Sequence, residues 1–132
     1  MSQENVEIVR RVYEAFNQRR RDVLAELLER EFLSYPNPDD PEQGARKGYD
    51  ENVAFIETQW KALPGLHTEI EEAIGAGNDV VALVRHTARV PGSDSQIDRH
   101  EAHLWSLREG RVVSLREFAT REQAIEAAGL RE

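Results

Sequence analysis

DVVALVRHTARV, residues 79–90, decides the fold. Val80, Ala82, Val84, His86 and Ala88 alternate with Val81, Leu83, Arg85, Thr87 and Arg89, the period of two that an extended strand imposes. Toward the C-terminus, PGSDS (91–95) has turn chemistry and QIDRHEAHLWSL (96–107) reads as the next strand. REG (108–110) is a tight turn before the last strand, RVVSLREFA (111–119). TREQAIEAAG (120–129) closes as a helix, with Thr120 and Gln123 as a capping box and Gly129 suited to the C′ position. On the other side, HTEIEEAIGA (67–76) is a strand ending at a Gly77-Asn78 turn.

Upstream of residue 67 the period changes to 3.6. SQENVEIVRRVYEAFN (2–17) puts Val6, Val9, Tyr13 and Phe16 on one stripe flanked by Ile8 and Val12, with Ser2 available as a cap. DVLAELLEREF (22–32) repeats the pattern with Val23, Leu24, Leu27 and Leu28 behind a possible Asp22 cap, and EFLSYP (31–36) is a short strand stopped by Pro36. NPDDPEQGARKG (37–48) is a loop by composition, with Asp39 and Asp40 as solvated turn residues. In YDENVAFIETQWKALPG (49–65), Tyr49, Val53, Ile56, Trp60 and Leu63 form a third helical stripe ended by Pro64-Gly65. Three helices around one short strand, then a four-strand meander and a terminal helix, make an α+β domain. At 132 residues a single domain, 1–132, is expected.

The bulk composition excludes several functions. A net charge of −8 is poorly suited to a phosphate-backbone partner, so no nucleic acid is expected. The one basic run, Arg19-Arg20-Arg21, falls where a helix should end and reads as a solvated last turn. The absence of cysteine rules out disulfides, thiolate metal sites and a cysteine nucleophile. No window approaches the ~18 apolar residues of a membrane span, and the N-terminus lacks a signal-peptide pattern. A cytoplasmic protein with no membrane partner is the expectation.

With VRRVYEAFN at its start and AHLWSLREGRVVSLREFATREQAIEAAG at its end, the chain resembles the nuclear transport factor 2-like superfamily, and within it the SnoaL-like, polyketide cyclase-like branch. The resemblance covers nearly the whole chain. It implies a curved antiparallel sheet wrapped around three N-terminal helices, a cone with one apolar pocket, and dimerisation through sheet backs. Its members include ketosteroid isomerase, polyketide cyclases, scytalone dehydratase, limonene-epoxide hydrolase and binding proteins without chemistry, so the fold alone does not assign a reaction.

Strand pairing converts the sequence into two faces. If PGSDS centres on Ser93 and Glu109-Gly110 are the middle of the next turn, His86 faces His100 and Ala102 faces Glu117. One face then carries Ala82, Val84, His86, His100, Ala102, Leu104, Leu115 and Glu117. The resemblance to ketosteroid isomerase puts the pocket on this face, with His86, His100 and Glu117 as its ionisable groups and catalytic candidates. Histidine exchanges protons near neutral pH, and a neighbouring carboxylate tunes it. Scytalone dehydratase, which places two histidines in such a pocket to remove water without a cofactor, is the nearest analogy. His100 and His103 are an odd number apart and point to opposite faces, so HEAH (100–103) is not a shared metal motif. His86, His100 and Glu117 have the composition of a two-histidine, one-carboxylate site; the expectation is nonetheless no metal and no cofactor.

The catalysts of the best-known relatives are not matched. The isomerase base falls near Tyr35-Pro36, its oxyanion aspartate at Ala102 and its first-helix tyrosine at Val12, one position from Tyr13. The Asp-Arg-Asp set of the epoxide hydrolase finds no counterpart, because Arg85 and Arg116 face away. Tyr13, Phe16, Phe32, Tyr35, Phe55 and Trp60 are placed at the cavity mouth, and Val84, Ala102, Leu104 and Leu115 on its wall. The expected ligand is a small apolar or aromatic metabolite with a few oxygens. The expected activity is a cofactor-independent acid/base lyase or isomerase; the alternative is a ligand-binding protein without turnover. The other face presents Val81, Leu83, Trp105, Val112 and Phe118 as one band, which predicts a homodimer with Trp105 near its two-fold axis.

Overall fold

The computed structural model describes residues 2–38 and 44–130, Ser2 by its backbone alone. The Ser2 cap and the turn role of Asp39 and Asp40 lie outside what is described. Helices α1 (Ser2–Asn17) and α2 (Arg21–Leu27) precede strand β1 (Leu28–Tyr35). A two-residue strand, β2 (Arg46–Lys47), follows in what composition reads as loop, then helix α3 (Tyr49–Ala62). Strands β3 (His67–Ala76), β4 (Asp79–Arg89), β5 (Gln96–Arg108) and β6 (Arg111–Phe118) form the meander, and α4 (Arg121–Ala127) closes the chain. The six strands make one sheet in the order β2-β1-β6-β5-β4-β3, antiparallel throughout except for the parallel pair β1 and β6.

Local signals explain the element ends. Thr120 accepts from the Gln123 backbone while the Gln123 side chain reaches back, completing the capping box, and Gly129 takes φ +75°. Asp22 does not cap α2; it lies inside the first turn and pairs with Arg20 at 2.8 Å. Nor is the arginine run merely solvated. Arg19 adopts φ 59°, donates to the carbonyls of Phe16, Pro64 and Leu66, and lies over the Trp60 ring. It thereby ties the end of α1 to the loop after α3.

The sheet is covered on both sides. On the inner face, Val9, Val12 and Tyr13 of α1 pack with Leu24, Leu28, Phe32, Val80, Ala82, Val84, Trp105, Leu107 and Val112. On the outer face, Ala124 and Ile125 of α4 pack with Val81, Ala102, Leu104 and Phe118. Trp105 and Val112 are therefore buried under the N-terminal helices, while Leu83 and Phe118 pack beside α4. The expected band of exposed aromatics does not exist. Tyr35 is the exposed large hydrophobic among the described residues, and the assignment of Trp105, Leu83, Val112 and Phe118 to a dimer surface is withdrawn.

Two single-residue differences in register account for this. The β4–β5 loop holds six residues, not five: Arg89 faces Gln96, and the Val90 N–H donates to the Ser95 carbonyl. In the β5–β6 hairpin, Arg108 faces Arg111 and Leu107 faces Val112, as the turn dictates, but Ser106 then faces Ser114. Val113 is an extra residue, a β-bulge. Each slip rotates β5 by one residue against a neighbour, and one residue exchanges the faces of a strand. β4 and β6 thus keep the faces read for His86 and Glu117, whereas all of β5 is inverted.

Candidate active site

The inversion carries Glu101, His103 and Trp105 to the inner face and sends His100, Ala102 and Leu104 outward. Opposite Glu117 on β6 is His103, and opposite Val84 on β4 is Glu101. One continuous set of hydrogen bonds results. His86 Nε2 and His103 Nε2 lie 3.0 and 2.9 Å from the same oxygen, Glu101 Oε1. His86 Nδ1 lies 2.8 Å from Thr68 Oγ1, and His103 Nδ1 lies 2.6 Å from the Tyr13 hydroxyl, which also accepts from Trp105 Nε1 at 2.8 Å. Arg99 holds the other Glu101 oxygen at 2.8 Å.

The donors and acceptors can be assigned from this geometry. A carboxylate only accepts, so both Nε2 atoms donate to Glu101. In a neutral imidazole Nδ1 then accepts, from the Thr68 hydroxyl at His86 and from the Tyr13 hydroxyl at His103. Burial opposes charge on Glu101, but the hydrogen bonds from His103 and His86 outweigh it and hold the carboxyl far below its usual range. Glu117 behaves oppositely. Burial pushes its carboxyl up, the charge of Glu101 adds to this, and His103 only partly opposes it. Burial likewise raises the Tyr13 hydroxyl well above its ordinary value, keeping it a neutral donor. Two neighbouring carboxyls with opposite preferences are a common basis for acid and base roles in one pocket.

This difference yields a prediction. The folded-state value of Glu117 is raised, so its contribution to stability is complete below the unfolded value and is lost as pH rises through the folded one. Glu117→Gln removes that loss. Its thermal midpoint relative to wild type is expected to climb as the pH is raised from 4 to 8. A midpoint difference that stays flat across this range refutes the assignment.

The cluster opens into a cavity of about 270 Å³, at the small end of ligand pockets. Tyr13, Phe16, Phe32, Phe55, Leu115 and Glu117 line it as expected, with His86 beside them. Glu101, His103, Thr68, Arg99 and Arg46 join them without having been anticipated, and Arg46 lies over the Phe55 ring. A larger depression of about 440 Å³ beside the start of α3 is walled by exposed Arg30, Lys47, Asp50 and Glu51; it is a charged surface groove without a titratable cluster of this kind.

Other expected residues lie elsewhere. His100 is exposed on the outer face and pairs with Glu71 at 2.8 Å. Ala102 and Leu104 pack beneath α4, so the oxyanion position inferred at Ala102 is on the wrong side of the sheet. Val84 is fully buried in the core behind the wall, Tyr35 is exposed, and Trp60 packs against Phe16 and Arg19 instead of lining the cavity. Arg85 does face away, bound to Asp98. The signal for the missed residues was the alternation Glu101, His103, Trp105, but Ala102 and Leu104 offer an equally apolar set. With both faces covered, β5 is buried continuously from Ala102 to Trp105.

A model of the SnoaL-like domain matches residues 9–115. Among solved structures, a protein described as a candidate SnoaL-like polyketide cyclase from Jannaschia sp. CCS1 is 25% identical with a TM-score of 0.77, over 96% of this chain and 92% of that one. IdmH, a candidate polyketide cyclase from Streptomyces antibioticus, is 14% identical with a TM-score of 0.78, over 96% and 98%. A Catenulispora acidiphila protein with a ketosteroid isomerase-like fold, solved with trimethylamine, is 16% identical with a TM-score of 0.75, over 95% and 94%. No curated protein matches by sequence. No described helix is long and apolar enough to cross a membrane.

Proposed function

The chain belongs to the SnoaL-like family, and from that premise we propose that it binds a small, largely apolar, oxygenated metabolite and moves a proton on it. The reaction would be a lyase or isomerase step of the dehydratase or cyclase type that needs no cofactor. One observation carries the reading: two imidazoles donate to a single carboxylate oxygen at the wall of a cavity that Tyr13, Phe16, Phe32, Phe55 and Leu115 also line. His86 takes the substrate proton at Nδ1, either in place of Thr68 or through its hydroxyl. Glu101 holds Nε2–H and stabilises the imidazolium that forms, much as an aspartate does in a catalytic triad. Glu117, whose carboxyl burial raises above its ordinary value, returns a proton to the departing or developing oxygen. His103, fixed by Tyr13, keeps Glu101 in place. A cytoplasmic location belongs to the same reading.

A second reading, a binding protein without turnover, is favoured by the saturation of the cluster: all four ring nitrogens already have protein partners. A thermal-shift panel of small ketones, phenols and lactones, with trimethylamine added, tests both. A bound compound at a hundred times its Kd should add about 2.7 kcal/mol and raise the midpoint by several degrees. Turnover of a binding compound that is lost in His86→Ala and Glu117→Gln but kept in His100→Ala supports the enzyme. Binding without turnover supports the carrier, and a panel that shifts nothing removes both.

A further inference from the structure

We propose that His86, His103 and Glu101 also form a site for a divalent first-row cation of the zinc or cobalt(II) class, with its open position facing the cavity. This goes beyond the acid–base reading and does not rest on it. The ligand atoms, two Nε2 and Glu101 Oε1, lie within 4.8 Å of one another. Around a tetrahedral cation, ligands at ~2.1 Å stand roughly 3.4 Å apart, so the nitrogen–oxygen spacings of 2.9 and 3.0 Å need only a small expansion. Two imidazoles and one carboxylate select zinc, cobalt, nickel or iron(II) over calcium or magnesium.

The surroundings supply what such a site needs beyond its ligands. Each imidazole is oriented through its far nitrogen by a hydroxyl, His86 by Thr68 and His103 by Tyr13, and the latter hydroxyl is itself fixed by Trp105. Either oxygen can accept from an Nδ1–H, which frees the Nε2 lone pair for the ion. Arg99 occupies Glu101 Oε2, so the carboxylate presents one oxygen. His103 and Glu101 are deeply buried, with 5% and 9% of their side chains exposed, while His86 at 21% gives an approach from the cavity. A cation would take the place of the two Nε2 hydrogens that now hold Glu101. It would therefore compete with the proton chemistry rather than assist it.

The test is a titration of chelator-treated full-length protein with cobalt(II), followed by its visible absorption and by calorimetry, then displacement with zinc. One ion per chain with a four-coordinate spectrum is expected. Affinity should fall at least tenfold in His86→Asn and His103→Ala and ten- to a hundredfold in Thr68→Val, which leaves all three ligands in place. His67→Ala and His100→Ala should bind as wild type does. Thermal unfolding of each variant confirms that it is folded, and Thr68→Val carries the test if His103→Ala is not. Absence of the spectrum, binding unchanged in His86→Asn and Thr68→Val, or binding lost in His100→Ala overturns the site. A protein that turns over substrate but refuses cobalt loses this site alone; one that binds cobalt without turnover loses only the acid–base reading.

Discussion

Replacing Trp105 with alanine is expected to destabilise the protein by about 3–5 kcal/mol and to lower its thermal midpoint by roughly 10–20 °C. The indole is 4% exposed, sits edge-on to Tyr13 with ring centroids 5.4 Å apart, and stacks near Phe32. Truncation removes that contact area, leaves a cavity under α1 and takes away the N–H that the Tyr13 oxygen accepts. Phenylalanine at this position keeps most of the area but not the donor, so its cost should be nearer 1–2 kcal/mol. Glutamate would bury an unpaired carboxylate in the same place and should leave little folded protein, because a typical domain is stable by only about 5–15 kcal/mol. Urea unfolding measures all three. An alanine variant within about 0.5 kcal/mol of wild type would mean that Trp105 lies on the surface after all.

The largest effect on activity is expected at Glu101. Glu101→Gln should lower turnover of any substrate found in the ligand panel by about 10²–10⁴-fold, the usual weight of a general acid–base arrangement. Glutamine is nearly isosteric, but it has no charge to stabilise an imidazolium, and its single carbonyl oxygen must serve two Nε2 donors now shared by Oε1. Its amide would also direct a donor toward Arg99, which now donates to Oε2. Asp98→Asn is the matching control. That carboxylate pairs with Arg85 on the exposed outer face, where ion pairs contribute little, and its turnover should stay within about twofold of wild type. Equal rates for Glu101→Gln and wild type would remove the cluster from any catalytic role.

The architecture was legible in the sequence because each element has a regular period and punctuated ends. The stripe Val6, Val9, Tyr13, Phe16, the alternation along β4 and the Thr120–Gln123 box each translate into one local structure. The site was half legible for the same reason. His86 lies on a strand whose phase was read correctly, Glu117 on the part of β6 beyond the bulge where the reading also holds, and Tyr13 on a helix whose stripe is unambiguous. Glu101 and His103 were not, because β5 is packed on both sides and its phase depends only on its connections. One connection is a residue longer than the turn motif suggests, and the other is correct at the turn and altered three residues later. Neither Val90 nor Val113 has a side chain that announces its role: Val90 continues the alternation of β4 up to the turn, and Val113 follows Val112 in a strand-like run.

The extra residue at Val113 also matters when functions are compared between relatives. A chain lacking this bulge has one residue fewer in β6, and the gap belongs inside the strand at Val113, where nothing in composition invites it. If the gap is placed after the strand, the relative's pocket residue is matched to Arg116, which lies over Phe118 on the side facing away from the cavity, instead of to Glu117. A pocket acid would then be scored as lost although it is present, and an arginine credited with a role it cannot reach. Gap placement within a single strand therefore decides whether two such proteins look like the same catalyst.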